Sequence, residues 1–209
     1  MKMYDLSMTV SNELPTYPGD PVVNINPAID FKQSGYNVMS VCMGTHSGTH
    51  LDVPRHMIDK GLSVDVADLG KFLGLALFAE ILKSENEEIT TDDIKDLDLR
   101  KDDILIIRTG WEKNKYKMDF FYGFPYFSAD VADYLISKKI KAIGADIPTV
   151  DGPGRNGAFH KKLMLSGIII IEALINLKQV VGKRIYFSAL PIKIKDADGS
   201  PVRAVAFEL

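Results

Sequence analysis

Three of the four histidines in this chain fall within eleven residues, in Gly44-Thr45-His46-Ser47-Gly48-Thr49-His50-Leu51-Asp52-Val53-Pro54-Arg55-His56, with an aspartate among them. Imidazole nitrogen and carboxylate oxygen are ligands that suit zinc, manganese or iron, and three such groups plus an open position make a hydrolytic metal centre. His46, His50, Asp52 and His56 share parity, so along an extended chain they point to one face. His46 and His50 also have the i, i+4 spacing of helical zinc ligands, but Gly48, the threonines and Pro54 oppose a helix. A straight strand would hold the first two Cα atoms roughly 13 Å apart, a strained span for one ion, so the backbone is expected to bend at Gly48. Asp52 is the natural bridging ligand, because its two oxygens can hold two ions while an imidazole supplies one lone pair. His56, beyond Pro54, reads as either a further ligand or a free acid/base.

Two other residues extend the constellation. Glu172 follows the apolar run 167–171, so its carboxylate emerges from the end of a core strand; a cation would offset its burial, and an exposed turn is the alternative. His160 alone reads as a surface or satisfied core residue, and only the histidine cluster makes it a candidate.

The elements that must position these groups are mixed. Segments 22–25, 38–43, 75–81, 104–108, 142–145, 168–171, 185–189 and 202–207 are short, apolar or β-branched and bounded by Gly, Pro or Asp, which predicts strands. Several are continuously apolar, as expected of strands buried on both faces. Ser128 opens a helix over 129–138 that ends in lysines, and a shorter helix is expected over 91–97. Pro15, Pro18, Gly19 and Pro21 make 14–21 a stiff loop. The glycine-rich 152–157 reads as a plain loop, since no Lys-Ser or Lys-Thr follows to make it a phosphate cradle.

Composition sets the class. The 209 residues, 46% hydrophobic and 25% charged, fit one globular domain over 1–209 with no repeat or linker to divide it. A net charge of −3 argues against a nucleic-acid partner, and no apolar run reaches the roughly 20 residues of a membrane helix. The single cysteine, Cys42, and a start without a signal-peptide core fit the cytoplasm.

The pattern His46-x-Gly48-Thr49-His50-x-Asp52-x-Pro54-x-His56, followed by His160 and Glu172, resembles the cyclase family of metal-dependent hydrolases, which includes bacterial kynurenine formamidase and isatin hydrolase. The resemblance runs along nearly the whole chain, through Asp5-Leu6-Ser7, Tyr17-Pro18-Gly19-Asp20, Arg108-Thr109-Gly110-Trp111, Gly144-Ala145-Asp146, Val150-Asp151, Glu172-x-x-x-Asn176-Leu177 and Asp198-Gly199-Ser200-Pro201-Val202-Arg203-Ala204. It implies an α/β chain with a swivelling β/β/α domain, having a mixed central sheet, a second sheet and few helices, assembled as a homodimer or homotetramer. It also implies that His46, His50 and Asp52 hold one metal and that Asp52, His160 and Glu172 hold a second, with Asp52 and Glu172 serving both. His56 matches the acid/base. Zinc, one or two ions, is the implied cofactor, with a single manganese as the variant in isatin-hydrolase-like members. Formamidase members carry tryptophan before Pro-Gly-Asp; Tyr17 stands there instead, so stacking on an aromatic substrate is retained in a pocket of different size.

The expected activity is hydrolysis of a C–N amide bond in a small molecule, such as an N-formyl amine, arylformamide or cyclic amide. Two other readings are open: a non-catalytic metal- or ligand-binding protein, and a hydrolase using Cys42, whose apolar strand surroundings favour an inert thiol. Tyr17, Phe120, Phe121, Tyr122, Phe124, Tyr126 and Phe127 could line an aromatic pocket, although packing or a subunit interface is the more usual use of such clusters.

Overall fold

The structure is a computed structural model and describes residues 1–208. A continuous run such as Ile104-Leu105-Ile106-Ile107 cannot present a polar face, so its strand must lie inside, covered on both sides. It sits in the middle of a nine-stranded mixed sheet. From one edge to the other the strands are Lys2–Asp5, Val205–Glu208, Arg184–Ser188, Leu73–Glu80, Ile104–Arg108, Ala142–Ala145, Ile169–Glu172, His50–Asp52 and Gly199–Pro201. The four strands from Leu73–Glu80 to Ile169–Glu172 are mutually parallel; the outer pairings on both flanks are antiparallel. Alternate residues feed two apolar cores: Leu105, Ile107, Ile143 and Ile170 enter one, while Ile104, Ile106, Ile169 and Ile171 enter the other.

Two smaller sheets complete the fold, an antiparallel ribbon of Asn24–Ile29 with Val38–Cys42 and a short parallel pair, Glu88–Ile89 with Tyr126–Phe127. Only four α-helices are present among the described residues, as the expected class requires. Ala129–Lys138 lies where the sequence places it, burying Val131, Ala132 and Leu135 and ending at Lys139 in the left-handed conformation, φ 57°. The expected 91–97 helix is a single turn, Thr91–Ile94, closed by a Thr90–Asp93 capping box. No helix among the described residues is long and apolar enough to cross a membrane.

Three departures from the sequence reading bear on the site. The segment 202–207 is not one strand: Gly199–Pro201 pairs with His50–Asp52, whereas Val205–Glu208 pairs with Lys2–Asp5 and Arg184–Ser188. His50–Asp52 is itself a strand, hidden from periodicity because two of its three residues are polar. The helix Ala158–Leu165, which carries His160, opens directly from the glycine-rich loop at Gly157, φ 70°. Its His160-Lys161-Lys162 stretch breaks the apolar spacing, although Phe159, Leu163 and Met164 are buried.

Gly144 shows how tightly the parallel layer is packed. A Cβ there would stand 2.8 Å from Ile106 Cδ1 and 3.0 Å from Leu174 Cδ1, closer than side chains tolerate. Gly144→Ala should therefore lower stability by about 1–3 kcal/mol in denaturant titration, the usual result of overpacking. An unchanged midpoint would mean that the two sheet faces are looser than this packing indicates.

Candidate metal centre

Register brings the first donors together. His50–Asp52 runs antiparallel to Ile169–Glu172 with His50 opposite Glu172 and Asp52 opposite Ile170, and directly opposed residues share a face. His50, Asp52 and Glu172 consequently project from the same side of the sheet edge. Gly48, at φ 65°, turns the chain just before this strand, and His46 swings back over it. That is the bend the spacing demands. On the other flank Gly199 pairs with Asp52, and its missing side chain leaves the room His46 needs: a Cβ on Gly199 would lie 2.7 Å from His46 Cε1. His160 enters from the Ala158–Leu165 helix, and His56 from a 3₁₀ turn begun by Pro54.

All five expected ligands meet around Asp52. His46 Nδ1 lies 2.7 Å and His50 Nε2 3.5 Å from Asp52 Oδ1, and His160 Nε2 lies 3.4 Å from Oδ2. Glu172 closes the ring, with Oε2 3.5 Å from His50 Nε2 and Oε1 3.2 Å from His160 Nε2. Asp52 is 0% exposed, yet neither of its oxygens has a hydrogen-bond donor aligned on it. A fully buried carboxylate surrounded by nitrogens, none of them at a hydrogen-bonding angle to it, is suited to a cation. The residues present thus fit a metal. The donor set is nitrogen and oxygen without thiolate, which suits zinc or manganese in a catalytic rather than a structural role. His56 has a ring nitrogen within 4.8 Å of donor atoms of His46 and Asp52, so it stands within reach of the centre as well as facing the cavity.

Each candidate ligand imidazole is held from behind, which fixes which nitrogen faces inward. His50 Nδ1 is 2.8 Å from the Gly48 carbonyl, His160 Nδ1 is 2.5 Å from Asp151 Oδ2, and His46 Nε2 is 3.0 Å from Asp198 Oδ2. Asp151 also accepts from the backbone N–H groups of Phe159 and His160, 2.9 and 3.1 Å away. Glu172 Oε1 accepts from Val150 N at 2.9 Å. Asp151 and Asp198 lie in stretches quoted from the sequence, but a lone aspartate carries no spacing signal that would reveal this role.

The electrostatics follow from this crowding. Burial disfavours a charged His46, but the hydrogen bond to Asp198 and the neighbouring Asp52 outweigh it and raise its pKa to about 10. His160 is likewise desolvated, yet Asp151, Asp52 and Glu172 hold it well above 6.5. Burial pushes the Asp52 and Glu172 carboxyls up, and the mutual repulsion adds to this for Glu172; the surrounding imidazoles overcome both and lower them. Protons on His46 and His160 supply the positive charge that a metal would otherwise bring.

The centre opens into a cavity of about 910 Å³. His46, His50, His56, His160 and Glu172 line its floor, and Tyr17, Met57, Phe121 and Tyr122 are among its apolar walls. Tyr17 is 46% exposed and meets Phe121 edge-on, ring centroids 5.7 Å apart. The aromatic segment therefore serves both purposes: Phe127 is fully buried core, Phe120 and Phe124 are core residues that also reach the cavity, and Tyr122 is exposed at it. Cys42 is exposed on the ribbon and does not line the cavity, which removes it as the nucleophile of this site.

The Cyclase family model matches residues 4–152, well over half of the chain. This protein belongs to the cyclase family. Among relatives of this cyclase, kynurenine formamidase of Bacillus cytotoxicus is 32% identical over 203 residues, covering 96% of this chain and 95% of that protein. A solved structure described as a potential metal-dependent hydrolase with cyclase activity is 27% identical, with a TM-score of 0.85 over 100% of this chain and 98% of the other. An isatin hydrolase bound to the product analogue thioisatinate superposes with a TM-score of 0.90 at 23% identity, over 98% of this chain and 91% of that one, a likeness of fold.

The raised imidazoles set a pH dependence for the metal-free cyclase. Their folded pKa values lie above the unfolded value near 6.5, so their contribution to stability is complete below pH 6.5 and is lost as pH climbs toward about 10. The melting temperature of chelator-stripped protein should fall between pH 6.5 and 9.5, and added zinc or manganese should stabilise it more at the upper end. A metal-induced shift that is the same at both ends would contradict proton–metal competition at these imidazoles.

Proposed function

We propose that this cyclase is a metal-dependent amidohydrolase that opens the C–N amide bond of an uncharged aromatic N-formyl amine, arylformamide or cyclic amide. The observation that carries the reading is the fully buried Asp52 carboxylate, without an aligned donor and ringed by three imidazoles and Glu172, at the floor of an aromatic-walled cavity. His46, His50, Asp52, His160 and Glu172 would hold the metal, zinc foremost and manganese as the alternative. When bound, such an ion supplies Lewis-acid polarisation of a carbonyl and acidification of water.

The chain's own residues supply the remainder. His56 is the most exposed of the four imidazoles and faces the cavity, with Nδ1 3.4 Å from Asp198, which leaves Nε2 free to take a proton from the attacking water and pass it to the departing amine nitrogen. An amine leaves poorly without that proton. Tyr17, with Phe121 at its edge, offers a face on which an aromatic ring can stack, and Met57 and Phe124 add apolar wall around it.

Charge narrows the substrate. The charged side chains lining the cavity besides histidine are Asp20, Asp151, Glu172 and Asp198, and among the described residues no lysine or arginine joins them. A carboxylate on the distal part of a substrate would meet like charge without a cationic partner, at a desolvation cost. A neutral aryl group has only apolar surface to satisfy. Neutral arylformamides should accordingly exceed their carboxylate-bearing counterparts by about tenfold or more in kcat/KM, a difference of about 1.4 kcal/mol. Turnover should cease on chelation and return with zinc or manganese, and His56→Ala should lower kcat by about 10²–10⁴-fold while metal content stays at the wild-type level. Turnover that survives chelation, or no turnover across the panel with either metal, refutes the hydrolase reading.

For assembly, we propose a homodimer or homotetramer in which a second copy covers the Asn24–Ile29/Val38–Cys42 ribbon. All five residues of Val38–Cys42 are exposed, and Phe31, Tyr36, Val38, Met39 and Val41 form an apolar surface there that a lone chain leaves in water. Light scattering should give a multimer for the wild-type chain and a monomer for the double variant Met39→Asp/Val41→Asp; a monomeric wild-type chain would refute the assembly.

A further inference from the structure

One carboxylate touches both kinds of histidine in this site and belongs to neither set. Asp198 Oδ2 lies 3.0 Å from His46 Nε2 and 3.4 Å from His56 Nδ1, and the two rings it bridges are 4.1 Å apart, tilted by 41°. Its other oxygen accepts a hydrogen bond from Thr45 Oγ1 at 2.8 Å. Its main chain is anchored too: Val53 N donates to the Asp198 carbonyl at 3.1 Å, and the next residue, Gly199, is in register with Asp52. The carboxylate is thus fixed from the Asp52 strand and from the loop that carries His46, while it remains partly open to the cavity.

We propose that Asp198 is a positioning residue that sets the tautomers of His46 and His56 together, so that a single acceptor aims a metal-ligating nitrogen of His46 beside Asp52 and an acid/base nitrogen of His56 at the substrate. An imidazole has one nitrogen that carries a proton and one that offers a lone pair, and the partner of the first decides the identity of the second. With Nε2–H of His46 given to Asp198, Nδ1 is the lone pair left to face Asp52, 2.7 Å away. With Nδ1–H of His56 given to the same oxygen, Nε2 is left for the cavity. Removing the acceptor frees both rings to turn or to exchange tautomers, and the close contact between them means that a turn of one displaces the other. Asp151 performs the corresponding service for His160 alone, since its remaining partners are backbone N–H groups.

The part played at His56 rests on the amidohydrolase reading; the part played at His46 does not. The test uses Asp198→Asn and Asp198→Ala, with Thr45→Val as the variant that keeps the carboxylate but loses its clamp. Zinc affinity, measured by competition with a chromophoric chelator, should fall by about 10–100-fold for Asp198→Ala, the usual effect of losing an acceptor behind a ligating histidine. Thr45→Val should lie between this variant and wild type. Long-range ¹H–¹⁵N spectra of zinc-loaded protein should show the Nε2–H form of His46 and the Nδ1–H form of His56 in wild type, and both should become mixed in Asp198→Ala. On a turned-over arylformamide, kcat should fall with KM within about threefold, whereas a loss of fold alone would lower the fraction of active protein without touching the tautomers of the folded remainder. Wild-type zinc affinity together with unchanged tautomers in folded Asp198→Ala overturns the proposal. If no arylformamide is turned over by wild type, the hydrolase reading fails, while affinity and spectra still decide the role of Asp198.

Discussion

A buried anion whose charge must be met from within the protein dictates the construction of this molecule. Isolating a carboxylate such as Asp52 from water costs several kcal/mol unless charge is returned to it. Here it is returned by three imidazoles from two separate segments, 46–50 and 158–165, and the whole edge of the sheet is arranged to bring them within reach. A second carboxylate, Glu172, is placed beside the first, which raises the demand for positive charge further. Two adjacent anions inside a protein need positive charge beside them, and this site is shaped to receive it.

The support behind the ligands is as much a product of the fold as the ligands themselves. Parallel strands in the middle of the sheet are buried on both faces and rigid, and the strand ending in Glu172 takes its position from them. The site is built where this rigid layer meets an antiparallel flank, so that Gly199, Asp52 and Ile170 lie abreast on three neighbouring strands. Glycine at the outer position is a steric requirement. Its hydrogen occupies the space from which a methyl group would evict His46.

The chemistry was more legible in the amino-acid order than the geometry. Histidines and an aspartate at even spacing declare a ligand set because few other uses need four such residues of one parity, and the bend at Gly48 follows from the distance alone. Strands 104–108 and 142–145 and helix 129–138 were legible for the same reason that they are buried: their apolar content is dense and periodic. His50–Asp52 and Gly199–Pro201 were not, because they are three residues long and held by partners far away in the chain rather than by propensity. The helix of His160 was concealed by the polar residues it carries. Asp151 and Asp198 illustrate a further limit, since an acceptor behind a ligand is defined by where it ends up and not by its neighbours in sequence.

The pairing of Gly199–Pro201 with the strand of His50 and Asp52 joins segments nearly 150 residues apart. A nascent chain emerging from the ribosome displays its histidine cluster long before the Gly199–Pro201 strand exists. Until then His46 lacks its backing acceptor, and the face that receives it has no neighbour on its outer side. Capture of an ion in the final geometry would therefore wait until residues 198–201 have been made. Late closure of this kind would make an occupied centre a certificate that this edge of the sheet has been assembled.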